Sequence, residues 1–170
     1  SYPVLSVTST VQISDMRATL LSQYKKETEK YPPSTTLTIM GDSAGGHLST
    51  LLALDIIENI IENKSLKPPT SIVLLSPWFD ITNTHPHLRP PSNVSTDWIT
   101  QSFFKTIHRE VSLAEKSDEY HFDTLIKRAK RVGLPPCLIL TAEGEIIAGE
   151  TAHFAKEVGG DIEVFWGSEG

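Results

Sequence analysis

The pentapeptide Gly41-Asp42-Ser43-Ala44-Gly45 constrains this chain more than any other stretch. It stands directly after the apolar run Leu37-Thr38-Ile39-Met40 and directly before a long apolar helix pattern, the setting of a nucleophile elbow. A serine forced onto a sharp strand-to-helix turn occupies a strained backbone conformation. The residues two before and two after it therefore have to be small, and Gly41 and Gly45 meet that demand. Such a turn lifts the Ser43 hydroxyl above the sheet edge, aims the positive end of the following helix at it, and leaves the Ala44 N–H free to stabilise an oxyanion. An incidental Gly-rich loop would explain neither the strand before, nor the helix after, nor the additional Gly46.

The elements around the elbow alternate. Ile13, Met16, Leu20, Leu21 and Tyr24 share one helical face, with Ser14 as N-cap and Asp15 in the first turn, and Pro32-Pro33 ends that helix. Leu37 to Met40 reads as a short buried strand. Leu48 through Ile61 reads as an amphipathic helix, closed by Pro68-Pro69. Ile72 to Leu75, Cys137 to Thr141 and Ile162 to Trp166 are further short apolar runs bounded by Pro or Gly. Strands of this kind, alternating with helices, predict an α/β fold with a mostly parallel sheet and crossover helices. The interval 77–133 breaks the rhythm: it is long, contains Pro86, Pro90 and Pro91, and has helical patterns near Trp98 to Ile107 and Phe122 to Val132. An excursion over the strand ends predicts a cap or lid, the plainer reading being a long crossover.

At 170 residues the chain supports one domain, here spanning 1–170, with a sizeable core. A net charge of −6 and the lack of a basic stripe exclude a nucleic-acid partner held by phosphate contacts. The single cysteine, Cys137, lies in an apolar strand pattern and reads as a buried, unreactive thiol, so no internal disulfide forms and the compartment stays open between cytoplasmic and endoplasmic-reticulum settings. Two sequons, Asn63-Lys64-Ser65 and Asn93-Val94-Ser95, would suit a lumenal protein. Neither a membrane-spanning run nor a signal-peptide pattern occurs in the segment.

Three stretches together resemble the hormone-sensitive-lipase-like esterases of the α/β-hydrolase fold: Gly41-Asp42-Ser43-Ala44-Gly45-Gly46-His47-Leu48, Leu75-Ser76-Pro77-Trp78-Phe79-Asp80, and Pro135 through Glu145. The wording is similar to the fungal branch that includes steryl acetyl hydrolases. The resemblance covers nearly the whole chain. It implies hydrolysis of a small hydrophobic carboxylic ester through a serine acyl-enzyme, in lipid metabolism, with no cofactor and no metal. By the family order of nucleophile, acid and base, the acid follows the second strand after the nucleophile strand. Matching Glu145-Ile146-Ile147 to the family's Asp-Pro-Leu makes Glu145 the acid, with Glu143 and Asp80 as alternatives. Its task would be to accept an imidazole N–H and stabilise the imidazolium.

None of the six histidines fits the base. His47 lies one helical turn past Ser43; His85, His87, His108 and His121 belong to the inserted interval; His153 is on a helix expected to run away from the site. The family's histidine would follow a turn such as the one at Gly167, and its second oxyanion loop, of His-Gly-Gly type, has no counterpart before Met40. These features predict a fragment comprising the C-terminal part of the fold, inactive alone, with sheet edges and apolar surface exposed and solubility correspondingly poor. Trp78, Phe79, Trp98, Phe103 and Phe104 could line an acyl or sterol pocket or fill the core. The alternatives in function are a non-catalytic scaffold of the same fold, an inactive truncated gene product, and a peptidase.

Overall fold

The apolar runs do form strands, and the helices between them carry the chain back to start each new one. A computed structural model describes residues 12–63, 66–89, 97, 99–114 and 118–168, with the backbone alone for 61–63, 101, 108 and 110–114. The order is α1 (Ile13–Thr28), β1 (Thr38–Asp42), α2 (Ala44–Asn63), β2 (Ser71–Leu75), α3 (Gln101–Ala114), α4 (Phe122–Val132), β3 (Cys137–Ala142), α5 (Ala148–Val158) and β4 (Ile162–Gly167). Short 3-10 turns at Pro86–Leu88 and Asp118–Tyr120 flank α3. The four strands pair in parallel in chain order, β1-β2-β3-β4.

Register and period decide which side of the sheet each residue faces. Ile39, Ile72, Leu74, Cys137 and Ile139 point one way and are buried, beneath α2 on β1 and β2 and α5 on β3 and β4. The other face carries Met40, Val73, Leu75, Leu138, Leu140 and Phe165 in cross-strand rows. Met40 is 63% and Phe165 62% exposed. A parallel sheet is ordinarily covered on both faces, so this open apolar face is the most unusual feature of the fold.

Helix α2 is buried on several sides because it lies between β1 and β2 on one side and α1 and α4 on the other. Leu51 through Leu54 and Ile56 are all buried there. The intervening Asp55 is buried as well and is paired twice. Arg17 of α1 grips it with Nε 3.1 Å from Oδ2 and Nη2 2.6 Å from Oδ1, and Arg128 of α4 also reaches Oδ1 while holding Glu58 at 2.6 Å. Three helices are thereby fixed to one carboxylate whose charge would otherwise be uncompensated. Helix α4 packs Phe122, Leu125, Ile126 and Ala129 inward. Phe79 stacks between Phe154 of α5, 4.0 Å between centroids, and Phe122, 6.2 Å away.

Several boundaries differ from the sequence expectation. The helix after the elbow starts at Ala44 rather than Leu48, because Gly45 and Gly46 are helical yet add nothing to apolar periodicity. Helix α1 runs on to Thr28 and takes Gln12 rather than Ser14 as its N-cap, where the Gln12 N–H reaches the Asp15 carboxylate at 3.4 Å. Helix α3 is displaced toward the C-terminus relative to the pattern near 98–107. Trp98 and the sequon at Asn93 lie outside the described residues. Among the described residues no helix is long and apolar enough to cross a membrane.

Candidate active site

Between β1 and α2 a single residue makes the turn: Ser43 has φ +50°, the left-handed region that a non-glycine residue rarely adopts. Its backbone is held from both sides. The Ser43 N–H donates to Leu75 O at 2.9 Å, and its carbonyl accepts from Gly46 N at 3.0 Å and from Trp78 N at 2.9 Å. The side chain is exposed. Ala44 opens α2, so its N–H has no acceptor within the helix and points where the helix dipole is positive.

The glycine requirement falls in different places from the motif expectation. At Gly41 a Cβ would sit 2.2 Å from Gly45 O and 2.4 Å from Ser49 Oγ, so glycine is obligatory. At Gly45 a Cβ would meet only Asp42 Oδ1, at an ordinary 3.7 Å, which corrects the expectation that this position must be bare. Gly46 is the tight one: a Cβ there would lie 2.7 Å from Pro77 Cβ and 2.9 Å from Pro77 Cα. The sequence pattern fixes spacing along the helix, whereas the constraint comes from a turn that arrives thirty-one positions later in the chain.

Glu145 sits in the loop after β3, half-buried, its N–H on Ala142 O at 3.2 Å. Two hydroxyls donate to its carboxylate: Ser76 Oγ to Oε1 at 2.6 Å and Thr141 Oγ1 to Oε2 at 2.7 Å. The neighbouring Ile146 N–H donates to Asp97 Oδ2 at 3.0 Å, which ties the loop to the inserted interval. Glu143 is exposed, its N–H used on Gly167 O. Asp80 is buried, and its oxygens accept from Thr84 N at 2.8 Å, Thr84 Oγ1 at 2.9 Å and His85 N at 2.8 Å. That carboxylate orders the turn it belongs to.

Behind the turn lies a buried ionic group. Glu150 of α5 accepts the Asp80 N–H at 2.9 Å through Oε2 and binds Arg89 Nε at 2.9 Å and Nη2 at 2.8 Å through Oε1. Burial pushes the Glu150 carboxyl up to about 7, and Arg89 opposes that shift only in part. The Arg89 guanidinium lies 4.8 Å from the Phe104 ring centroid.

The described histidine side chains are structural or peripheral. His47 is buried, its Nδ1 3.1 Å from Phe79 O; a carbonyl only accepts, so Nδ1 carries the proton. Desolvation lowers its pKa to about 4 and leaves the ring neutral, with Nε2 buried and unpaired. His85 and His153 pack around Phe122, and His87 lies against His85. His121 pairs with Asp118, and the His108 side chain is outside the described residues. None of the described imidazoles hydrogen-bonds Ser43 or Glu145.

The aromatic residues expected at a pocket separate. Phe79 is core, Trp78 is buried edge-on against Phe104 at 4.9 Å, and Phe103 is 51% exposed. A small pocket beside the Glu145 loop uses, of the four that are described, only Phe104, together with Asn83, Pro86, Arg89, Lys105 and Ile146. Cys137 is buried and its thiol is pushed up to about 12 by desolvation, which makes it inert. Among the described residues no group of His, Cys, Asp and Glu is arranged to hold a metal ion. Sequence reasoning missed Ser76, Thr141, Arg89 and Glu150. Only the Ser76-Pro77 pair carries a signal in the sequence, within the same turn as Asp80.

Solved structures similar in fold include three esterases. Carboxyl esterase 2 (TmelEST2) from the mycorrhizal fungus Tuber melanosporum is 20% identical, with TM-score 0.60 over 88% of this chain and 49% of that one. Esterase E25 is 15% identical, with TM-score 0.72 over 95% and 48%. The thermophilic carboxylesterase EstE1, cloned from a metagenomic library, is 22% identical, with TM-score 0.63 over 93% and 53%. The chain thus spans about half the length of each. No curated protein matches its sequence significantly. The family described as alpha/beta hydrolase fold matches residues 9–163, nearly the full length, and the chain belongs to that family.

Proposed function

We propose that this chain carries the nucleophile and the acid of a serine carboxylic ester hydrolase. The observation that carries the reading is Ser43: a strained, backbone-clamped residue whose hydroxyl is exposed at the N-terminus of a buried helix. Ser43 Oγ attacks the ester carbonyl carbon while an imidazole takes its proton. The Ala44 N–H donates to the oxyanion that forms. Collapse expels the alcohol, which receives the proton, and leaves an acyl-serine that water then hydrolyses. Glu145 orients the imidazole and stabilises its charged form.

The base and a second oxyanion donor come from polypeptide outside these 170 residues, a reading supported by the half-length match to the esterase structures. The substrate is a hydrophobic ester, for which the fungal steryl acetyl hydrolase resemblance suggests a sterol acetate. Within the interval 77–133 we assign the cap role to the stretch through α3, which supplies Phe104 and Lys105 to the pocket beside Glu145; α4 belongs to the helical layer.

The test is labelling by a fluorophosphonate probe, comparing the chain, its Ser43→Ala variant, and the chain together with whatever polypeptide its reading frame adds on either side. Ser43-dependent labelling in the longer form, with Glu145→Gln lowering ester turnover on the order of a hundredfold or more, is expected. Labelling in neither form would move the assignment to a non-catalytic scaffold, which the unpaired state of Glu145 toward any described imidazole already favours as the second reading.

A further inference from the structure

We propose that Ser76 is a positioning residue for the acid of this site, an inference that rests on the reading of Glu145 as that acid. Ser43 and Ser76 occupy equivalent places on adjacent strands. Each follows the last residue of its strand, with Asp42 in register with Leu75. Each has a left-handed backbone, φ +50° and +41°. Each continues the sheet ladder through its N–H, Ser43 to Leu75 O at 2.9 Å and Ser76 to Leu140 O at 2.7 Å. The elbow is in effect repeated one strand over.

Strain at Ser43 is explained by the hydroxyl it displays, and no such explanation serves Ser76. Glycine would adopt φ +41° freely, so keeping a Cβ there is unfavourable unless its substituent does something. What it does is donate to Glu145 Oε1 at 2.6 Å, a short charge-assisted bond. Thr141, at the end of the next strand, donates to Oε2 at 2.7 Å. One hydroxyl on each oxygen fixes the plane of the carboxylate and leaves its remaining lone pairs for an imidazole N–H. The turn itself has little freedom. Pro77 packs against Gly46 of α2, and Trp78 N–H is bonded to Ser43 O at 2.9 Å, so Ser76 measures the distance between nucleophile and acid.

The experiment is steady-state hydrolysis of p-nitrophenyl butyrate by the full reading-frame protein, with Ser76→Gly, Thr141→Val, Glu145→Gln and the Ser76→Gly/Glu145→Gln double variant, and thermal melts of each. Ser76→Gly removes strain and hydroxyl together. It is expected to hold or raise Tm while lowering kcat on the order of tenfold to a hundredfold, with KM little changed. Thr141→Val should lower kcat in the same direction, a second route to the same answer. In the Glu145→Gln background Ser76→Gly should cost nothing more. An unchanged kcat for Ser76→Gly, or the same loss with and without Glu145, overturns the inference alone. Turnover unaffected by Glu145→Gln, or absent from the parent protein, overturns the assignment of the acid and this inference with it.

Discussion

Alanine at Gly41, Gly45 and Gly46 should give three different outcomes, although the motif presents the first two as equivalent. At Gly46 the new methyl would sit 2.7 Å from Pro77 Cβ and 2.9 Å from Pro77 Cα. Carbon atoms prefer roughly 3.5–4.0 Å, so α2 and the Ser76–Asp80 turn must separate by most of an ångström. Both contact atoms belong to a ring and backbone held by Trp78 N–H on Ser43 O, so neither can rotate aside. Overpacking of this kind costs about 1–3 kcal/mol, offset by at most about 1 kcal/mol of helix propensity. The net loss is up to about 3 kcal/mol, which for a domain of this size lowers Tm by up to roughly 12 °C. At Gly45 the nearest atom is 3.7 Å away, so alanine adds propensity without a clash and Tm should hold or rise by up to about 4 °C. Gly41→Ala meets Gly45 O at 2.2 Å and should destabilise most. Thermal unfolding by circular dichroism ranks the three, and fluorophosphonate labelling of Ser43 should fail in the order Gly41, Gly46, Gly45. A Gly45→Ala protein that melts as low as Gly46→Ala would show that the turn after β2 is not what constrains the elbow.

Three further outcomes follow from buried charge and exposed apolar surface. Glu150 is pushed up to about 7 in the fold against 4.5 unfolded, so the folded state holds its proton longer. Its contribution to stability is complete below about pH 4.5 and is lost as pH rises through about 7, on the order of 3 kcal/mol. Glu150→Gln should flatten that segment of a denaturant-derived stability profile, and an identical slope in both proteins would refute the assignment. Asp55→Ala strands Arg17 and Arg128 between helices and should cost about 3 kcal/mol in urea unfolding, whereas a loss under 1 kcal/mol would mean Glu58 and Glu119 suffice. Lysine at both Met40 and Phe165 should raise the soluble, monodisperse fraction in light scattering with Tm unchanged, and the parent chain behaving as a monomer would contradict the open-face argument.

The parts legible in the sequence are those governed by short-range rules. Parallel strands that are apolar on both faces and bordered by Pro or Gly show as continuous apolar runs, and Ile72 to Leu75 and Cys137 to Thr141 differ from the observed strands by one residue at most. Ser43 was legible because the turn that strains it is local. The bonds from Ser76 to Glu145 and from Asp80 and Arg89 to Glu150 were not, since partners 69, 70 and 61 positions apart leave no periodicity to read. Apolar character alone does not separate pocket from core: Phe79 and Phe104 are equally apolar, yet one stacks on Phe154 inside the core and the other reaches the pocket.

The segment from Leu75 to Asp80 explains why these particular long-range contacts coincide. Leu75 O and Trp78 N–H hold the two sides of Ser43, Ser76 Oγ holds Glu145, Phe79 O holds His47 one turn along α2, and Asp80 N–H holds Glu150 on α5. Six consecutive residues thus join the Ser43 turn, the Glu145 loop and the helices that follow each. A left-handed Ser76 followed by a proline is a stiff element, and stiffness here is transmitted in two directions at once. Any change that lets the segment drift should loosen Ser43 and Glu145 together, so their separation is set by β2 and its turn more than by the strands that bear them.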